Sequence, residues 1–134
     1  MIIIREEEVR FAETDMLGVV HHANYFRWFE VGRVAFLAEI GIILLELMDE
    51  GVLFPVKAVS CNYILPAKFG DEVIIETSLS KLSKAQMNFK QKIINKKTQD
   101  LLATGEVQVV FTNVNGKIIR IPMEHYQKLE RVYE

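Results

Sequence analysis

The segment 22–40 constrains the fold more than any other, because its residues are hydrophobic nearly all round a helical wheel. It contains no proline and a single glycine, Gly32, so the sequence predicts one uninterrupted helix. Its polar residues Arg27, Glu30 and Arg33 recur every three positions and leave one narrow solvent-facing seam. A helix of this kind must be enclosed by the rest of the chain.

The residues on either side of this helix are typical of strands that could enclose it. Residues 2–11 predict an opening strand, with Val9 and Phe11 on one face. The short stretch "ILLELMDEG" predicts a second helix that ends at Gly51. Beyond it the hydrophobic period changes to two, which indicates half-buried antiparallel strands within residues 53–65, 72–79, 87–93 and 101–111.

A hairpin signal at Asn115 and Gly116 leads into a further predicted strand, "KIIRI". The order is therefore a strand, a long helix, and four or five antiparallel strands. One sheet wrapped around the helix satisfies both patterns, because each strand has an apolar face to cover the helix. We expect an α+β fold that forms a single domain over residues 1–134.

Composition limits the classes of function. Half of the 134 residues are hydrophobic, which favours an oligomer because a short chain has little interior. The net charge of −2 argues against a nucleic-acid-binding protein. No stretch approaches the roughly 18 apolar residues of a membrane span, and "MIII" is too short for a signal-peptide core. We expect a cytoplasmic protein with no membrane span.

The stretch "ETDMLGVVHHANYFRWF" carries the residues suited to chemistry. Asp15 precedes the start of the helix, where it is either a simple cap or a reactive carboxylate. Gly18 suits a tight turn, and the neighbouring Glu13 is expected to be a solvated residue. His21 and His22 have no ligand partner four residues away, so no metal site is expected. The single cysteine, Cys61, is expected to be a small core residue rather than a nucleophile.

The longer segment "RFAETDMLGVVHHANYFRWFEVGR" resembles the signature of hot-dog-fold acyl-CoA thioesterases of the 4-hydroxybenzoyl-CoA thioesterase type. The resemblance includes the bacterial acyl-CoA thioesterases associated with the Tol-Pal system. It extends more loosely through "VKAVSCNYILPAKFGDEVIIET" and the later strands. It implies a hot-dog fold, in which an antiparallel sheet wraps around a long central helix.

The same resemblance implies a mechanism and an assembly. Asp15 takes the position of the catalytic carboxylate, as nucleophile or general base, and the backbone N–H of His22 takes that of the group that polarises the thioester carbonyl. Neither a metal nor an organic cofactor is expected, since coenzyme A is part of the acyl-CoA substrate. A homodimer or homotetramer is implied, with active sites at subunit boundaries. Two alternatives remain open: a hot-dog dehydratase or hydratase, and a non-catalytic acyl-CoA-binding or regulatory module.

Lysines are concentrated in one interval of the sequence. No acidic residue lies between Glu76 and Asp100, and the interval holds Lys81, Lys84, Lys90, Lys92, Lys96 and Lys97. These lysines either form a solvated strand face or receive the phosphates of coenzyme A. The substrate-binding candidates are Lys84 from this interval, together with Lys57, Ser60 and Asn62 from the first strand after the helices.

Overall fold

The computed structural model describes residues 1–133. It contains five strands and three helices, with a short 3₁₀ turn at Phe11–Glu13. In chain order these are β1 (Ile2–Glu8), α1 (Asn24–Glu39), α2 (Leu44–Asp49), β2 (Val56–Tyr63), β3 (Glu72–Leu82), β4 (Gln86–Asn95), β5 (Leu101–Val110) and α3 (Met123–Val132). Within residues 1–133, no helix is both long enough and apolar enough to cross a membrane.

All five strands form one antiparallel sheet in the order β1-β3-β4-β5-β2. The first strand therefore lies at one edge, and β2, which follows the helices, lies at the other. Almost every residue of β2 is exposed, on both faces of the strand. The three strands between the edges alternate buried and partly exposed residues, as the period of two predicts.

Helix α1 packs across one face of this sheet, and two glycines allow the close contact. A Cβ added to Gly32 would lie 2.4 Å from the Thr77 hydroxyl oxygen, and one added to Gly105 would lie 2.4 Å from the ring of Phe29. The side chain of Gln91 donates to the Phe29 carbonyl at 2.8 Å, which adds a polar link between β4 and the helix. Trp28, Phe29 and Phe36 of α1 are fully buried in the resulting core. The predicted arrangement of sheet and helix is confirmed.

The opening strand is shorter than predicted. It ends at Glu8, and the chain then turns into the 3₁₀ segment instead of continuing to residue 11. Val9 is buried, but Phe11 is 73% exposed, so the two do not share a face of a strand. The long helix begins at Asn24 rather than at residue 22, because residues 21–24 form a turn closed by the Asn24 N–H and the His21 carbonyl at 2.9 Å.

The solvent-facing seam of α1 also differs from the prediction. Arg27 and Arg33 are only half-exposed, because Arg27 pairs with Glu13 and Arg33 approaches Gln91. The exposed positions instead recur every four residues, at Phe26, Glu30, Val34 and Ala38. A stripe of the helix that holds three apolar residues and Glu30 therefore remains uncovered in a single chain.

The end of the chain departs from the prediction in two ways. The segment "KIIRI" forms no strand; Thr112 and Ile118 make only an isolated bridge after the turn at Gly116. Helix α3 was not predicted from the sequence. Pro122 precedes it, as proline commonly does at a helix start, and His125 and Leu129 form its buried face.

Candidate active site

A tight hairpin immediately before α1 brings together the catalytic candidates of the motif. The Asp15 N–H donates to the Val19 carbonyl at 2.8 Å, and the His21 N–H donates to the Glu13 carbonyl at 2.9 Å. Gly18 has a φ of +80°, a left-handed conformation that glycine adopts without strain. The tight turn predicted at Gly18 is therefore present, and Asp15 and the start of the helix lie on the two arms of one hairpin.

The Asp15 carboxylate is half-buried and only partly engaged. Its Oδ1 accepts a hydrogen bond from the Leu17 N–H at 2.8 Å, which fixes the side chain over the turn. Its other oxygen has no donor among residues 1–133. One carboxylate oxygen thus orients the group while the other is open to a substrate or a water molecule.

The main-chain N–H of His22 is unpaired within the described residues. Its direction is fixed because the carbonyl of the same peptide unit, that of His21, accepts from the Asn24 N–H at 2.9 Å. This N–H lies just before the first turn of α1, and the N-terminal end of a helix carries a partial positive charge that attracts anions. It is therefore suited to bind an oxyanion.

Tyr63 contacts the carbonyl group of His22. Its hydroxyl donates to the His22 carbonyl at 2.8 Å, and its ring packs edge-on against His22 and Tyr25. Burial of the phenol, together with its neighbour Cys61, raises the pKa of Tyr63 to about 12. The hydroxyl therefore keeps its proton at neutral pH and remains a donor. Sequence reasoning missed Tyr63, since nothing in its alternating strand marks it out.

Glu13 is not the solvated neighbour expected from the sequence. Its side chain is 2% exposed and forms an ion pair with Arg27 of α1. The Glu13 carboxylate accepts hydrogen bonds from the Arg10 N–H and from the Arg27 guanidinium, rather than facing Asp15. The expectation was wrong because the partner that buries Glu13 lies 14 residues further along the chain.

The four substrate-binding candidates do not converge on the hairpin within one chain. Ser60 and Asn62 lie opposite Glu106 and Thr104 of β5, on the sheet face directed away from α1. Lys57 lies at the start of β2, about 20 Å from Tyr63 at roughly 3.3 Å per residue. Lys84 lies in the turn between β3 and β4.

The lysines of the 76–100 interval are also dispersed. Lys90 and Lys92 project from the outer face of β4, opposite Glu106 and Thr104 of β5. Lys96 lies at the far end of that strand and pairs with Glu6 and Glu72 at 3.0 and 3.4 Å. These residues do not form one continuous basic surface around the hairpin.

Within residues 1–133, no cluster of three potential metal ligands lies at the hairpin. The rings of His21 and His22 stack 4.2 Å apart rather than diverging as adjacent helical residues would, and the Ala23 N–H donates to His21 Nδ1 at 3.2 Å. Among the residues that the structure describes, one group of three potential ligands lies elsewhere, where Glu50, Glu124 and His125 join α2 to α3. Two of its three members are exposed, and His125 Nε2 already bonds to Glu50 at 3.0 Å.

Cys61 is poorly suited to nucleophilic attack. Burial raises the pKa of its thiol above the ordinary value, and a contact with Tyr63 offsets only part of that change. The thiol is therefore protonated near neutral pH, whereas the nucleophile would be the thiolate.

The chain matches the family model of the thioesterase-like superfamily over residues 9–129. It is 33% identical over 102 residues to the acyl-CoA thioester hydrolase YbgC of Escherichia coli O157:H7, which is 76% of this chain and 75% of that protein. It is 41% identical over 73 residues to the putative acyl-CoA thioesterase YneP of Bacillus subtilis. That second match spans only 54% of this chain and 53% of YneP.

The structure of DHNA-CoA thioesterase from Staphylococcus aureus superimposes with a TM-score of 0.90 at 29% identity. The match covers 97% of this chain and 91% of that one. The antiparallel sheet packed on its central helix is thus the hot-dog fold, as the sequence resemblance implied. The chain belongs to the thioesterase-like superfamily, as a thioester hydrolase with the hot-dog fold.

Proposed function

We propose that this protein hydrolyses acyl-CoA thioesters to a carboxylic acid and free coenzyme A. The observation that carries the proposal is the unpaired N–H of His22, held in a fixed direction on the hairpin that also carries Asp15. The similarity to YbgC, an acyl-CoA thioester hydrolase, and to YneP, a putative acyl-CoA thioesterase, supports coenzyme A as the thiol part of the substrate.

The proposed chemistry requires two groups. The free oxygen of Asp15 either attacks the thioester carbon or removes a proton from a water molecule that attacks it. The carbonyl oxygen then becomes an oxyanion, to which the His22 N–H donates; such a donor is typically worth about a hundredfold to a thousandfold in rate. The carbon–sulfur bond breaks, and the departing thiolate takes up a proton, from Asp15 when a water molecule attacks or from solvent when Asp15 attacks. Direct attack leaves the acyl group on Asp15 as an anhydride, which a water molecule hydrolyses to release the carboxylic acid and restore the carboxylate. Neither route requires a metal or an organic cofactor, because coenzyme A enters as part of the substrate.

We also propose that the working form is a homodimer at least, and a homotetramer as the family resemblance implies. Edge strand β2 is unpaired along one side, and α1 exposes Phe26 and Val34. Two copies that pair antiparallel through the middle of β2 would place the start of one strand beside the end of the other. Lys57 of a second copy would then lie near Tyr63, next to the proposed site.

Replacement of Asp15 by asparagine tests the proposed role of the carboxylate. Asp15→Asn keeps an oxygen that can accept from the Leu17 N–H, but it removes the negative charge. We expect turnover of acyl-CoA to fall on the order of a hundredfold or more, measured as thiol release across a panel of aliphatic and aromatic acyl-CoAs.

Asp71 offers a matched control for that experiment. Its carboxylate also accepts a main-chain hydrogen bond in a loop, from the Lys68 N–H at 2.9 Å. Asp71→Asn should leave turnover nearly unchanged. Equal losses of turnover in the two variants would mean that Asp15 only supports the loop. If the parent protein itself releases no thiol from any acyl-CoA, acyl-CoA binding without hydrolysis is left as the function.

A further inference from the structure

Glu13 is a buried charged residue at the base of the hairpin, opposite His21. Its Oε1 accepts from the Arg10 N–H at 2.8 Å, and its Oε2 accepts from Arg27 Nε at 3.1 Å and from Arg27 Nη2. Buried charges are retained only when they are paired and hydrogen-bonded, as this one is. The side chain therefore connects the 3₁₀ turn to the second turn of α1.

The main-chain carbonyl of Glu13 contacts His21 and Asn24, on either side of the segment that carries the His22 N–H. Its carbonyl accepts from the His21 N–H at 2.9 Å and from the Asn24 side-chain amide at 2.8 Å. These bonds hold the residue before His22 and the residue two places after it. The side chain of Glu13 thus forms the ion pair with α1, and its main chain holds the segment that carries the proposed oxyanion donor.

A neutral amide in place of the Glu13 carboxylate would lose some of these hydrogen bonds. Burial acts to raise the pKa of Glu13, but hydrogen bonds from the Arg10 N–H and Arg27, together with the charges of both arginines, outweigh it, so the pKa lies below its usual value. The ionised group accepts hydrogen bonds on both oxygens. A glutamine would present one acceptor and one donor, and the donor would face either the Arg10 N–H or the Arg27 guanidinium.

We infer that Glu13 is a positioning residue for thioester hydrolysis: its ion pair with Arg27 fixes the hairpin so that the His22 N–H and Asp15 address the same carbonyl. The inference rests on the proposed function. Misplacement of a reacting group by about 1 Å can cost on the order of a hundredfold in rate. The ion pair is therefore expected to influence turnover more than substrate binding, although neither of its members would touch the substrate.

Steady-state kinetics of four variants test this inference. We expect Glu13→Gln and Arg27→Met each to lower kcat by about tenfold to a hundredfold while KM for acyl-CoA stays within about twofold. The double variant should be no slower than the slower single variant, because both changes break the same contact. Glu50→Gln is the matched control, since it makes the same substitution in a contact between α2 and α3; it should leave kcat unchanged.

Amide hydrogen exchange supplies a readout that does not depend on activity. The His21 N–H should exchange faster in Glu13→Gln than in the parent protein, and it should be unaffected in Glu50→Gln. If Glu13→Gln fails to fold, Arg27→Lys replaces it, because lysine keeps the charge but loses the two-point contact with the carboxylate. Arg27→Lys should then lower kcat several-fold and accelerate the same exchange.

Two results separate this inference from the proposed function. Unchanged kcat in folded Glu13→Gln, alongside an inactive Asp15→Asn, would overturn the positioning role and leave the proposed function intact. If Asp15→Asn is fully active, the proposed chemistry fails. In that case the exchange rate of the His21 N–H alone decides whether the ion pair holds the hairpin.

Discussion

At the scale of single residues, the main chain of His22 carries more of the proposed chemistry than its imidazole. The ring stacks on His21 and packs against Tyr63, whereas the N–H has no acceptor within residues 1–133 and its direction is fixed. A histidine beside an aspartate suggests acid–base catalysis, but here the aspartate bonds to the Leu17 N–H. The two roles can be separated by substitution.

We expect His22→Ala to retain most activity and His22→Pro to lose it. His22 is the second residue of the turn 21–24, a position that proline favours, so its ring can fit while the N–H is removed. The loss in kcat for the proline variant should be about a hundredfold or more, measured as thiol release with thermal melting as the check on folding. An alanine variant as slow as Asp15→Asn would show that the imidazole takes part.

At the scale of elements, contact between α1 and the sheet sets the position of the whole hairpin. Gly105 of β5 lies directly under the Phe29 ring, and Gly32 of α1 lies over Thr77 and Gln91. Any side chain at these places would push the helix away from the strands. The start of α1, which carries the proposed oxyanion donor, would move with it.

Gly105→Ala should therefore destabilise the protein. The added methyl group would lie 2.4 Å from a fully buried ring, and overpacking of this kind typically costs about 1–3 kcal/mol. Urea unfolding at one fixed protein concentration measures the change in the free energy of unfolding. Adding Phe29→Leu to Gly105→Ala should recover part of the lost free energy of unfolding, since leucine leaves room for the methyl group. If nothing is recovered, the strain does not arise from contact with the Phe29 ring.

The elements that sequence could predict are those marked by periodicity. Alternation located β3, β4 and β5 closely, and the apolar helical wheel located α1. The end of β1 was missed because Val9 and Phe11 alternate as a strand would, while the hydrogen bonds of Arg10 and Glu13 turn the chain. Helix α3 had a readable signal in Pro122 and the apolar residues that recur after it, at Tyr126, Leu129 and Val132.

The candidate site could be predicted only in part for a related reason. Asp15, Gly18 and His22 lie within eight residues, so one motif contains them all. Tyr63 reaches His22 from 41 residues away, and Arg27 reaches Glu13 from 14 residues away. Contacts across such separations depend on how elements pack, which no local pattern records.

At the scale of the whole molecule, a single chain leaves two features uncovered. Strand β2 is exposed along an unpaired edge, and the stripe of α1 that includes Phe26 and Val34 faces outward. Exposed sheet edges that include apolar side chains such as Val59 and Tyr63 tend to pair with another strand. Both features favour association of the chain with itself.

Sedimentation at micromolar concentration should therefore give at least the mass of a dimer. Val59→Pro should shift the distribution towards the monomer, because the Val59 N–H points away from β5 and proline would remove this donor from the free edge of β2. Lys81→Pro, in the exposed part of β3, would disturb a strand that is already paired, so circular dichroism has to accompany both variants. A parent protein that sediments as a monomer would contradict the proposed assembly.

Tyr63 gives the edge strand a second significance. It lies at the end of β2, and its hydroxyl holds the His22 carbonyl. Whatever orders or loosens this strand therefore also reaches the residue that carries the proposed oxyanion donor. A substitution in β2 can slow thiol release either by disturbing the site or by lowering the fraction of protein in the oligomer. Rates of such variants are therefore comparable only when the same fraction of each protein is oligomeric.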